Sequence, residues 1–193
     1  MTEREKLLNG ENYDTRDPEL LELYHEAKEL LKKWEELSSR DLHGKAEVLK
    51  ELLDEVGDGV WIEAPFYCDY GKHIVIGENT FINTGGIFLD CNRITIGKNV
   101  LIGPNVQIYT VNHPLIANQR VPTNPKDGQA PYRTNAIPVE IGDNCWIGGN
   151  TVILPGVKIG DNTTIGAGSL VTKDIPNDVL AFGSPARVIQ KLI

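Results

Sequence analysis

The amino-acid sequence predicts an all-β parallel helix that carries a small α-helical N-terminal segment. Three observations predict it. An aliphatic residue returns every six positions from Ile141 to Val171. Tripeptides of the form GDN, GEN and GKN punctuate that stretch and its upstream copies. Before residue 58 the apolar residues recur instead at helical spacing. A short fixed period is read ahead of local propensity, because it dictates the architecture. The division expected is a helical segment over 1–57 and a β-helix over 58–193, with an extruded loop at about 109–136 and a C-terminal tail.

The first helix is expected to open with Asp17 as N-cap and Pro18 at the first helical position. Leu20, Leu23, Tyr24, Ala27, Leu30, Leu31 and Trp34 then form its apolar side. A second amphipathic segment, about Lys45 to Val56, places Val48, Leu49, Leu52, Leu53 and Val56 together, and "GDG" at 57–59 ends it. Two short helices bury little alone, so they are expected to lean on the residues after 58.

Those residues form the repeat. Ile141, Ile147, Ile153, Ile159, Ile165 and Val171 keep a spacing of six, and small or β-branched residues stand two positions before each. The pattern reappears at Ile96, Ile102 and Ile108, and with less regular joins at Ile76, Ile82 and Phe88. Each unit reads as a short strand with one large inward side chain, then a turn where Gly, Asn or Asp accepts unusual backbone angles. Three units close a triangular coil of 18 residues, which stacks Ile141 on Ile159 and Ile147 on Ile165. The spacing does not fix the hand of the coil.

One stretch breaks the beat. "YTVNHPLIANQR", residues 109–120, opens a long polar insertion with His113 near its start. A loop leaving a rigid wall can shape a cleft while the wall holds a reactive group still.

Composition narrows the function classes. Residues 1–57 carry 16 acidic and 9 basic side chains, and residues 58–193 carry 11 and 10, so no basic stripe exists for nucleic acid. No apolar run suits a bilayer, and the charged N-terminus lacks a signal core, so a cytoplasmic protein without membrane contact is expected. Cys68, Cys91 and Cys145 are widely spaced in apolar contexts and read as reduced, buried thiols. His25, His43 and His73 read as surface residues.

"IGKNVLIGPNVQIYTVNHPL", the downstream repeat block, "VTKDIP" with "GSPARVI", and the opening "MTEREKLLNGENYD" resemble the maltose and galactoside O-acetyltransferases over nearly the whole chain. The resemblance implies a left-handed parallel β-helix and a homotrimer with acetyl-CoA bound between neighbouring subunits. It implies no catalytic metal. It makes His113 the catalytic base toward the hydroxyl of a sugar such as maltose or glucose. Such a hydroxyl is almost wholly protonated at neutral pH, and an imidazole can take its proton as the oxygen attacks a thioester.

The same resemblance makes Asn83 and Asp14 acceptor contacts. Cys91 falls where galactoside acetyltransferase has a second sugar-binding aspartate, which speaks against a galactoside acceptor. Trp146, Gly149, Ala167, Thr172, Lys173 and Arg187 match acetyl-CoA positions: Gly149 and Ala167 leave room for the pantetheine arm, and Lys173 and Arg187 suit its phosphates. A second arginine of the family is replaced by Gln190. The stretch "RVPTNPKDGQAPYRTNA", residues 120–136, is longer than the family loop and suits a lid or acceptor selector.

Three alternatives stand beside this reading. An acetyltransferase of the same type could act on an antibiotic or an amino acid. A non-catalytic scaffold would leave the insertion and the terminal block without a purpose. A zinc hydratase on the same coil needs three histidines around its metal, and no second histidine lies a few residues from His113.

Overall fold

Three helices come first in the structure, a computed structural model that describes residues 1–124 and 127–192; Pro125 and Lys126 of the expected loop, and Ile193, lie outside the described residues. Helix α1 (Glu3–Leu8) closes a capping box: the Thr2 hydroxyl accepts from the Glu5 N–H, and the Glu5 carboxylate accepts from the Thr2 N–H. Helix α2 (Pro18–Glu36) starts as expected, with the Asp17 carboxylate accepting from the Glu19 N–H. Leu20, Ala27, Leu31 and Trp34 are buried. Tyr24, expected among them, is exposed, with the Lys28 ammonium 4.5 Å from its ring centre.

Helix α3 (Leu42–Leu52) corrects the second expected segment at both ends. Asp41 caps it by accepting from the Gly44 N–H, so the helix begins earlier and includes His43. It stops at Leu52 because Glu55 and Val56 leave it to pair in parallel with Val75 and Ile76. Val48, Leu49, Leu52 and Leu53 share one core with α2 and the first coil. The helices therefore cover the open end of the apolar column, where its side chains would otherwise meet water.

The rest winds as a three-sided parallel coil. Face one is built by Glu55–Val56, Ile74–Ile76, Ile94–Ile96, Val139–Ile141 and Lys158–Ile159. Face two is built by Trp61–Ile62, Phe81–Ile82, Leu101–Ile102, Trp146–Ile147, Thr164–Ile165 and Val179–Gly183, and Ala186–Lys191 folds back antiparallel on the last. Face three holds Phe66–Cys68, Gly86–Leu89, Gln107–Tyr109, Val152–Ile153 and Leu170–Val171.

The six-residue phase is borne out: Ile141 pairs with Ile159, Ile147 with Ile165 and Ile153 with Val171, all buried. The turns carry the expected backbone. Asn79, Asn99, Asn144 and Asn162 sit at φ of 55–56°, and their side chains hydrogen-bond from coil to coil down one edge, ending on Asp178.

Coil length changes along the axis. Ile76 pairs with Ile96 twenty residues later, whereas Ile141 pairs with Ile159 eighteen later. The extra residues fall at the edge between faces three and one, in 69–73 and 90–93. The insertion leaves from that same edge. Its neck is an antiparallel pair, Val111 against Ala136 and Asn112 against Asn135, and beyond it runs a short helix, α4 (Ala117–Arg120). Among the described residues, no helix is long and apolar enough to cross a membrane.

Candidate active site

His113 is the first residue past the neck of the insertion. Its Nδ1 lies 2.8 Å from the carbonyl oxygen of Arg133, and its ring stands edge-to-face on Tyr132 with centres 5.7 Å apart. A carbonyl can only accept, so Nδ1 carries the proton and Nε2 keeps its lone pair. The imidazole lines a cavity of about 510 Å³ with Tyr13, Tyr24, Asp69, Tyr70 and Cys91.

Two lengthened corners supply the floor of that cavity. Asp90 is fully buried, and its Oδ1 accepts from the N–H groups of Asp69 (2.8 Å) and Tyr70 (2.9 Å). Burial pushes the Asp90 carboxyl up to about 7. Its backbone carbonyl accepts from Nδ1 of His73 at 2.8 Å. His73 is therefore not the surface residue expected. It is buried beneath the corner, and burial pushes it down to about 4. His25 and His43 are exposed as expected.

Asp69 faces the cavity. Its Oδ2 accepts from Cys91 Sγ at 3.5 Å and its Oδ1 from the Tyr67 hydroxyl at 3.3 Å. Burial raises the Asp69 carboxyl, and the nearby Lys28 opposes that rise. Burial, then the charge of Asp69, raises the Cys91 thiol, so the sulfur stays protonated and donates. Cys68, Cys91 and Cys145 are all free and buried.

Of the residues singled out in the sequence, the cavity unites His113 and Cys91. Asp14 lies behind the loop, where its Oδ1 accepts from the N–H groups of Arg16 and Ala130, both at 3.0 Å. Asn83 sits at the edge between faces two and three, accepting from the Thr84 N–H. Gly149 and Ala167 lie on that same edge. There a Cβ on the neighbouring Gly148 would come within 2.4 Å of the Ala167 nitrogen.

Trp146 projects outward from face two, and the guanidinium of Arg187 donates to the Ala186 carbonyl at that face's end. Thr172 and Lys173 return to the edge between faces three and one, beyond the neck. Most candidates thus fall on two edges of the prism, with Trp146 and Arg187 on face two and Asp14 on the N-terminal arm.

Sequence reasoning missed Asp69, Tyr70 and Tyr132. The first two had a signal, the twenty-residue joins that disturb the period. Among the described residues, no group of three or more His, Cys, Asp and Glu side chains is placed to hold a metal ion.

Comparison with known proteins agrees in two parts of the chain. Residues 138–173 match the bacterial transferase hexapeptide model of six repeats, and residues 6–57 match the maltose acetyltransferase hexapeptide capping motif. Galactoside O-acetyltransferase of Escherichia coli is 41% identical over 152 residues, covering 79% of this chain and 70% of that protein. A maltose O-acetyltransferase structure from Clostridium difficile superposes with a TM-score of 0.92 at 42% identity, covering 100% of this chain and 98% of that one. A hexapeptide-repeat acetyltransferase from Vibrio cholerae, complexed with acetyl coenzyme A, gives 0.89 at 38% identity, with both chains fully covered.

Proposed function

The chain belongs to the hexapeptide-repeat acetyltransferases, and from that premise we propose that it transfers an acetyl group from acetyl-CoA to a hydroxyl of a sugar such as maltose or glucose. The observation that carries the reading is the fixed tautomer of His113, whose Nε2 lone pair is left available beside the cavity. Nε2 takes the proton of the acceptor hydroxyl as that oxygen closes on the thioester carbonyl carbon. The carbon–sulfur bond then breaks, and the same nitrogen returns the proton to the departing sulfur. Tyrosine rings and the Asp69 carboxylate suit a sugar, whose ring has apolar faces and whose rim has hydroxyl donors.

Acetyl-CoA supplies the activated acyl group. The edge of small residues at Gly148, Gly149 and Ala167 fits a narrow pantetheine arm, and among the described residues Lys173 and Arg187 have no carboxylate within ion-pair distance. Thr172 and Trp146 complete this set.

The assembly that fits is a homotrimer. On face two Trp61, Phe81, Leu101 and Trp146 follow one another at outward positions, and Trp61, Leu101 and Trp146 are 45%, 52% and 57% exposed. Apolar outward positions of that kind favour burial against another chain. Face one is polar there, with Lys158 paired to Glu140 at 2.8 Å. A second copy can also bring the edge bearing Asn83, Gly149 and Ala167 against the edge bearing His113. The test is a panel of sugar, amino-acid and antibiotic acceptors with acetyl-CoA, read as free thiol release. Turnover with sugars supports the proposal, and turnover confined to amines overturns it.

A further inference from the structure

Among the described residues, four polar contacts tie the N-terminal arm to the extruded loop. The Tyr13 N–H donates to the Thr134 carbonyl at 3.3 Å, and the Ala130 N–H donates to Asp14 Oδ1 at 3.0 Å. The Arg16 guanidinium donates to the Gln129 carbonyl at 3.3 Å, and the hydroxyls of Thr15 and Tyr132 lie 3.1 Å apart. Residues 13–16 therefore run along residues 129–134. The same loop residues hold the imidazole, through the Arg133 carbonyl on Nδ1 and the Tyr132 ring.

We propose that Asp14 is a positioning residue: by clamping Ala130 it fixes the Arg133 carbonyl on Nδ1 of His113, so that the N-terminal arm sets the tautomer of the base. The inference rests on the reading of His113 as the base.

The geometry explains why a clamp is needed. Among the described residues, two residue pairs close the neck, the Arg133 N–H donates to the Arg120 carbonyl at 2.8 Å, and more than twenty residues lie between Asn112 and Asn135. Holding the Arg133 carbonyl in a single orientation costs backbone entropy, which contacts from outside the loop help to offset. Asp14 brackets Arg133 from the other side. Asp14 is itself anchored: its N–H donates to Glu3 Oε2 at 2.7 Å, and the Arg16 N–H returns to Oδ1 at 3.0 Å. The carboxylate in the wall of the His113 cavity is Asp69, and Asp14 is not among the cavity's lining residues. Its place differs from the direct acceptor contact that the family resemblance implies.

The test compares Asp14→Ala with Asp14→Asn in protein carrying ¹⁵N-labelled histidine. Imidazole nitrogen shifts report the tautomer, hydrogen exchange reports the Ala130 amide, and steady-state kinetics report kcat and acceptor KM. Asp14→Ala is expected to mix the two tautomers, speed Ala130 exchange and lower kcat about tenfold, less than removal of the base itself would. Asp14→Asn keeps Oδ1 as an acceptor and should stay near wild type in all three.

An unmoved tautomer in Asp14→Ala overturns the proposal. So does an Asp14→Asn variant as impaired as the alanine one through a raised acceptor KM, which would make Asp14 an acceptor-binding charge. If Asp14→Ala does not fold, Ala130→Pro removes the N–H that Asp14 holds, and an unmoved tautomer there is equally decisive. Near-normal turnover of His113→Ala in the same assay would remove the base reading instead, while the tautomer and exchange data would still judge the clamp.

Discussion

The sulfur of Cys91 lies 3.5 Å from Oδ2 of Asp69, one coil apart on the edge that also carries His113. The thiol occupies the position where the resemblance places a sugar-binding aspartate, and a carboxylate from the preceding coil reaches the same spot. Acceptor recognition is therefore expected to rest on Asp69. Asp69→Asn should raise the acceptor KM roughly tenfold or more, since a hydrogen bond to a charged group is worth ~1.5–3 kcal/mol, and should leave CoA affinity unchanged. Unaltered acceptor KM in steady-state kinetics would show that the acceptor does not touch this carboxylate.

Asp90 gives the fold a pH signature. Its folded value, about 7, stands above the ordinary 3.8. From about pH 4 to 7 the folded state therefore binds more protons at this site than the unfolded chain, and stability from Asp90 is lost as pH rises. His73, held near 4 instead of 6.5, has the opposite slope between those values. Asp90→Asn keeps an acceptor for both N–H groups and removes only the Asp90 slope. Urea midpoints should show its advantage over wild type growing toward pH 7, on the order of a few kcal/mol. A difference that does not change with pH would contradict the assignment.

Much of the coil is legible in the sequence because one period governs it, and Ile141 to Val171 keep it without exception. The hand of the coil is not legible in that spacing and rests on the resemblance. His113 is legible through the break in the period. Its partner is not, because a backbone carbonyl such as that of Arg133 leaves no mark in the sequence. His73 reads as a surface residue for the same reason, its partner being the carbonyl of Asp90. Asp69 and Tyr70 hid in a corner two residues longer than the period allows. Helix α1 is too short for apolar periodicity, although Thr2 and Glu5 carry the capping-box signal.

The six-residue phase predicts opposite fates for neighbours. Ile159 is 2% exposed, and an unpaired carboxylate there would be very costly, so Ile159→Asp should unfold or aggregate. Lys158 points outward and makes an exposed pair with Glu140. Losing an exposed pair costs roughly 0–1 kcal/mol, so Lys158→Asp should be mild. Thermal unfolding distinguishes them, and equal midpoints would mean the phase is misassigned.

The loop should select the acceptor. Val121 and Tyr132 line the His113 cavity, whereas Gly149, Ala167 and Arg187 lie elsewhere on the prism. Shortening the loop within 122–128 should change acceptor KM or ranking while CoA affinity stays within about threefold, under 1 kcal/mol. Calorimetric CoA titration beside an acceptor panel decides it. Lost CoA binding with an unchanged acceptor ranking would place the loop over the cofactor.

The most direct measurement is turnover of His113→Ala with the best acceptor, alongside CoA affinity. The expected result is transfer lowered by about 10²–10⁴, the range for a lost general base, with CoA bound as tightly as before. Near-normal turnover in a variant that still binds CoA would contradict the account at its centre.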